Sequence, residues 1–192
     1  MSTVHEVVLI VGSLRRESYN RMLANALVPL APPSLRFETL EIGQLPLYNF
    51  DLEADPPAAW TTFRQRIAAA EAFCFVTPEY NRLIPGALKN AIDVGSRPKG
   101  KNSWGRRPAG VMSLTPGGFG AMSSNLHLRM VLSSVNVNVM PMPEGFLSGA
   151  EELFDTEGRL TNDRTREFLQ KFGVAFAEWV ERFHAQPAPR MA

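Results

Sequence analysis

Apolar residues fall along this chain in two alternating rhythms. Residues 4–11 form a largely β-branched run closed by Gly12, the pattern of a strand buried on both faces. From Ser18 the rhythm changes: Met22, Leu23, Ala26, Leu27 and Leu30 recur at helical spacing, and Pro32-Pro33 ends the helix. Residues 35–42 predict a second strand, and a Pro-, Asp- and Glu-containing connection follows over 44–57. Trp60, Phe63, Ile67 and Ala70 mark one face of a second helix. Residues 72–77 predict a third strand, closed by Pro78, and Pro85-Gly86 opens a short helix through Leu88 and Ile92. A fourth strand spans 109–114 and ends at Thr115-Pro116-Gly117-Gly118. A helix over about 119–134 and a strand over 135–140 complete a fifth unit. In the last helix Phe168, Phe172, Phe176, Trp179 and Phe183 keep the helical period, and residues 186–192, with Pro187 and Pro189, read as a frayed tail.

Strands separated by helices need crossover connections, so the five strands predict a parallel sheet with helices on both faces. Right-handed crossovers favour a doubly wound α/β arrangement, with one domain over 1–185. Composition changes little. The 20 Lys and Arg against 19 Asp and Glu leave a net charge of +1, which argues against a broad nucleic-acid or anionic-membrane footprint. The one basic cluster, Arg97, Lys99, Lys101, Arg106 and Arg107, reads as a solvated loop rim. Cys74 sits among Phe residues and reads as a small buried hydrophobe. The apolar run at 7–11 is too short for a signal-peptide core or a membrane span, so a cytoplasmic location and no membrane insertion are expected.

In doubly wound sheets ligands gather at the carboxyl ends of the strands. The first such loop reads Gly12-Ser13-Leu14-Arg15-Arg16-Glu17-Ser18-Tyr19-Asn20. Gly12 permits a tight exit from the strand, and Ser18 or Asn20 can cap the helix that follows. The helix start offers free N–H groups to a phosphate, and Arg15 can add a bidentate contact. The same residues suit ordinary helix capping with an exposed arginine, and the loop alone does not decide between these. Neither Gly-x-x-x-x-Gly-Lys-Ser/Thr nor Gly-x-Gly-x-x-Gly follows the first strand, which removes the main support for ATPase and Rossmann dinucleotide readings.

The loop after the third strand reads Pro78-Glu79-Tyr80-Asn81, then Pro85-Gly86, then Leu88-Lys89-Asn90-Ala91-Ile92-Asp93. With the Gly-Ser-x-Arg-x-x-Ser-x-Asn of the first loop and Leu45-Pro46-Leu47-Tyr48-Asn49, this string resembles the NADPH-dependent FMN reductase family, from about residue 7 to 143. That family includes bacterial quinone and chromate reductases and some azoreductases. The resemblance implies a flavodoxin-like three-layer fold, its parallel sheet ordered 2-1-3-4-5. It implies bound FMN, NADPH or NADH as hydride donor, and a small-molecule acceptor such as a quinone, chromate, an azo compound or free flavin. By the same resemblance Ser13, Arg15, Ser18 and Asn20 hold the phosphate, Pro78, Glu79, Tyr80 and Asn81 lie along the ribityl chain and ring, and Thr115, Gly117 and Gly118 belong to the third cofactor loop. A homodimer or homotetramer is implied as well, since relatives often complete the flavin site with a neighbour.

Two positions depart from the family pattern. Ala121 replaces the last glycine of Ser-x-Gly-x-x-Gly-Gly, so backbone approach to the flavin is expected to differ there. Val94 stands where an aromatic residue often follows Ile-Asp, removing bulk from a helix used in subunit contacts. Because the flavin itself accepts and delivers hydride, no catalytic side chain is nominated. Donor and acceptor are expected to use the same ring face in turn, with Arg82 or Arg97 as a basic fringe for a phosphorylated dinucleotide. The alternatives are a flavodoxin-type electron carrier, against which the +1 charge argues, and a non-catalytic flavin-binding sensor. His5, His127 and His184 lie far apart in sequence without metal-ligand spacing, and Asp51, Glu53 and Asp55 read as an exposed acidic connection.

Overall fold

The computed structural model describes residues 3–184. Its strands are β1 (His5–Val11), β2 (Leu35–Thr39), β3 (Ala72–Thr77), β4 (Pro108–Leu114), β5 (Asn138–Val139) and β6 (Gly145–Leu147). The helices are α1 (Tyr19–Leu27), α2 (Ala58–Ala69), α3 (Gly86–Gly95), α4 (Met122–Ser134) and α5 (Asp163–His184). All strand pairs are parallel and the order is β2-β1-β3-β4-β5, with β6 also against β4. This is the predicted flavodoxin-like order with one addition.

The central strands explain the continuous apolar runs. Every residue of β3 and β4 is buried, because helices cover both faces of the sheet. Alternation along each strand divides the core in two. Val7, Leu9 and Val11 pack with Cys74 and Val76 against Leu23, Leu27, Phe172 and Phe176 of α1 and α5. Val8 and Ile10 pack with Phe73 and Phe75 against Trp60, Ile67, Leu88 and Leu128 of α2, α3 and α4. Gly110 lets α5 approach the sheet: a Cβ there would lie 3.0 Å from the Phe172 ring. The edge strand β2 buries only Leu35 fully and is shorter than the predicted 35–42.

The fifth strand differs most from expectation. Instead of one strand over 135–140, two short segments pair with successive parts of β4: Asn138 opposite Pro108, and Gly145 opposite Met112. Pro141 and Pro143 lie between them, and neither has an N–H with which to continue a ladder. Val135 and Asn136 instead close α4, donating to Leu132 and Ser133 carbonyls, with Asn136 at φ 63°. Val94 also departs from its expected role. It is fully buried in the core beneath α3, so its small side chain removes no bulk from the surface. Among the described residues no helix is long and apolar enough to cross a membrane. The tail expected over 186–192 lies outside the described residues.

Candidate functional site

The site begins where β1 ends. Gly12 donates its N–H to the Val76 carbonyl, and a Cβ there would meet Leu88 at 3.1 Å and the Thr77 hydroxyl at 3.2 Å. Six residues on, Ser18 stands at the N-cap of α1 in extended backbone, but its hydroxyl makes no capping bond. Asn20 does not cap either. Its Nδ2 donates across the sheet end to the Leu114 carbonyl at 3.1 Å, and its buried Oδ1 has no hydrogen-bond partner among the described residues. Ser13, Ser18 and Asn20 are all buried. The loop therefore gathers polar groups that the protein itself leaves underused, beside the first N–H groups of a helix. Arg15 is exposed; it donates Nε and Nη2 to the Glu17 carbonyl and lies over the Tyr19 ring.

The loop after β3 is held by α4. The N-cap of α4 is Ala121, which has no side-chain acceptor to offer. Glu79 takes that role from the neighbouring loop, its Oε2 accepting from the Ser124 N–H at 3.1 Å. A carboxylate there also favours the positive end of the helix dipole. Ser124 Oγ donates back to the Pro78 carbonyl at 2.9 Å, and Ser123 Oγ donates to the Arg82 carbonyl at 2.7 Å. Residues 80–83 form a tight hairpin turn, with reciprocal bonds between Tyr80 and Leu83 of 2.9 and 3.0 Å. Asn81 and Arg82 occupy its two left-handed positions, at φ 52° and 70°. Glu79, expected along the flavin, lines the cavity between these loops while its Oε2 is engaged with α4.

After β4, the Thr115 N–H donates to the Leu147 carbonyl and the Gly117 N–H approaches Thr115 Oγ1 at 3.4 Å. Ser148 Oγ donates to the Gly118 carbonyl. The three loops meet at a cavity of about 160 Å³, lined by Ser13, Arg15, Ser18, Asn20, Pro78, Glu79, Tyr80 and Thr115 among others. Tyr19, Leu114 and Pro116 complete its wall and were not singled out from sequence, though each adjoins a nominated residue. Asn81, Gly117 and Gly118 lie outside that lining. A larger cavity, about 420 Å³, opens between β6 and the start of α5 and contains none of the nominated residues. The smaller cavity carries the converging polar groups and is the better candidate for chemistry.

Several remaining side chains sit elsewhere than expected. Glu53 is not a free acid: Arg97 at 2.7 Å and the Tyr48 hydroxyl at 2.7 Å hold its carboxyl below the usual range. Arg97 is thereby committed to Glu53 rather than to a basic fringe, whereas Arg82 is exposed beside Glu79. Burial pushes the Cys74 thiol up to about 12, consistent with an inert core residue. Of the histidines, His5 and His184 come together in space, their rings stacked with centroids 4.5 Å apart.

The sequence profile of the family described as NADPH-dependent FMN reductase matches residues 5–152. A quinone reductase from Pseudomonas putida is 52% identical over 182 residues, covering 94% of this chain and 97% of its own. An NAD(P)H-dependent FMN reductase from Pseudomonas aeruginosa is 40% identical over 95% of this chain and 98% of its own length. Among solved structures, FerB from Paracoccus denitrificans, a flavoenzyme NAD(P)H:(acceptor) oxidoreductase, superposes with a TM-score of 0.88 at 42% identity, covering 94% of this chain and 99% of FerB.

Proposed function

The chain belongs to the NADPH-dependent FMN reductase family, and from that premise we propose that it uses FMN to pass hydride from NADPH or NADH to a small quinone-like acceptor. The observation that carries the reading is the convergence of the loops after β1, β3 and β4 on one polar cavity whose buried Asn20 acceptor has no partner. The groups present fit FMN. Free N–H groups at the start of α1, the Ser13 and Ser18 hydroxyls and Arg15 suit its phosphate. To reach it, Arg15 exchanges the Glu17 carbonyl for a phosphate oxygen. Asn20 Oδ1 can accept from a hydroxyl of the ribityl chain, which answers its lack of a partner.

Bound FMN supplies the two-electron chemistry, taking hydride from a reduced nicotinamide and giving reducing equivalents to the acceptor. The protein's part is to bind and orient. Glu79 and Ser124 fix the loop after β3, and Asn20 ties the loop after β1 to the end of β4. The cavity is smaller than the roughly 300–1,000 Å³ typical of sites enclosing a whole organic ligand, which suits the phosphate and ribityl part. Tyr80 and Asn81, exposed at the open end, would flank the ring.

That open end adjoins apolar surface. Phe119 and Leu83 are exposed, and Met122, Leu126 and Met130 form an exposed row along α4. We assign this face to a second copy of the chain in a homodimer or homotetramer, since it is continuous with the incomplete end of the cavity. A quinone-like acceptor is favoured over chromate by the apolar character of that end and by the quinone reductase relatives. A cytoplasmic setting fits a reaction that draws on NAD(P)H.

The test is a visible spectrum recorded anaerobically. The purified protein should be yellow, bleach on addition of NADPH, and recover its colour on addition of benzoquinone. A colourless protein that cannot be reconstituted with FMN overturns the cofactor assignment. Failure to bleach overturns the reductase and favours a flavodoxin-type carrier or a flavin-binding sensor.

A further inference from the structure

At the end of the sheet opposite these loops, β1 begins with a buried histidine that has a carboxylate on each side. His5 Nδ1 lies 3.5 Å from Glu71 Oε1, and His5 Nε2 lies 3.2 Å from Glu181 Oε1. His184, exposed at the last turn of α5, stacks on the His5 ring and brings its Nδ1 to 3.9 Å from the same Glu71 oxygen. Ligand atoms of His5, Glu71 and His184 all lie within 4.8 Å of one another. We propose that these three residues form a divalent transition-metal site of the zinc type, clipping the end of α5 to the start of β1.

Chemistry and support both favour this reading. Two imidazole nitrogens and one carboxylate oxygen are a common donor set for zinc, with water in the fourth position. Bonds of about 2.0–2.1 Å place tetrahedral ligand atoms roughly 3.3 Å apart, close to the two Glu71 separations. The exposed His184 ring has to turn out of its stack on His5 for both imidazole lone pairs to meet at one ion. Glu71 is held in place twice by β1: its N–H donates to the Glu6 carbonyl, and its Oε2 accepts from the Glu6 N–H at 2.8 Å. Glu181 supplies the outer carboxylate of a carboxylate–histidine–metal arrangement. With Nε2–H donated to Glu181, the His5 lone pair at Nδ1 points toward the lone pairs of Glu71. A cation between them resolves that opposition.

The experiment is a calorimetric titration of chelator-treated, FMN-loaded protein with Zn²⁺, with a thermal melt of each sample. One equivalent should bind to the wild-type chain and raise its melting temperature. His184→Ala and Glu71→Gln should each weaken that binding at least tenfold, and Glu181→Gln by roughly 10- to 100-fold, as loss of a supporting carboxylate does elsewhere. His127→Ala, on a different helix, should bind as the wild type does. Unchanged flavin spectra and metal-free melting temperatures certify that the variants are folded. Absence of a saturable equivalent, or equal affinity in His184→Ala, overturns the site. Unchanged affinity in Glu181→Gln overturns the role given to that carboxylate.

Discussion

The two ends of the candidate cofactor cavity are built on opposite plans. At the α1 end, Ser13, Ser18 and Asn20 are buried, and Asn20 is fixed by a bond to a different strand. At the Tyr80 end, the turn is exposed and merges with the apolar row of Phe119, Met122, Leu126 and Met130. As proposed, the first end would hold a phosphate within one chain, by a helix start and a few short side chains. The second end leaves apolar surface to be covered, which substrates and a second copy can do. On the proposed reading, anchoring and turnover are separated along one ligand.

Substitutions that strike one end only should break that contrast. Asn20→Asp removes the donor to Leu114 and sets a buried carboxylate in the cavity proposed to take the anionic cofactor. An uncompensated buried charge costs about 3–5 kcal/mol, so FMN affinity should fall on the order of a thousandfold, read by flavin fluorescence titration. At the other end, Leu126→Glu with Met130→Glu should leave FMN binding to the chain intact while weakening self-association by roughly a hundredfold, measured by light scattering across a dilution series. An unchanged assembly in that double variant would place the interface elsewhere. Arg15→Ala should weaken FMN binding about 10- to 100-fold, from the roughly 1.5–3 kcal/mol of a hydrogen bond to a charged group, without altering the thermal melt. Among the described residues its side chain bonds to its own loop, at the Glu17 carbonyl, so the fold is not expected to depend on it.

The smallest effect concerns the start of α4. Ala121 begins α4 at φ 53°, a left-handed conformation that costs an L-residue about 1–2 kcal/mol. Ala121→Gly relieves this but enlarges the unfolded ensemble, so a net gain of about 0.5–1 kcal/mol is expected. For a chain of this size that corresponds to a rise of about 1–4 °C in melting temperature. No rise would show that the α4 start is relaxed as it stands. The position was visible in the sequence as a missing glycine, but its strain was not, since φ depends on where Gly120 and the β4 loop deliver the chain.

Much of the site was legible because its determinants are local. Gly12, Ser18 and Asn20 sit at fixed offsets from the end of one strand, and the same holds for Pro78 and Thr115. The exceptions are contacts between distant segments. Glu79 reads as a flavin neighbour along the chain, yet it caps α4, which begins 43 residues later at Met122. Val94 reads as a surface departure, yet it faces the sheet. Glu53 reads as one acid in a solvated run, yet it holds Arg97 and Tyr48.

The sequence by itself determined the alternation of strands and helices, the parallel sheet and the three loops at its carboxyl end, because hydrophobic period and turn residues act over a few positions. Tertiary structure alone decided how the fifth strand divides around Pro141 and Pro143, which helix Glu79 caps, and that Asn20 reaches Leu114. It also brought His5, Glu71 and His184 together. Those outcomes depend on which backbone groups and side chains packing leaves adjacent, and no spacing along the chain encodes that distance.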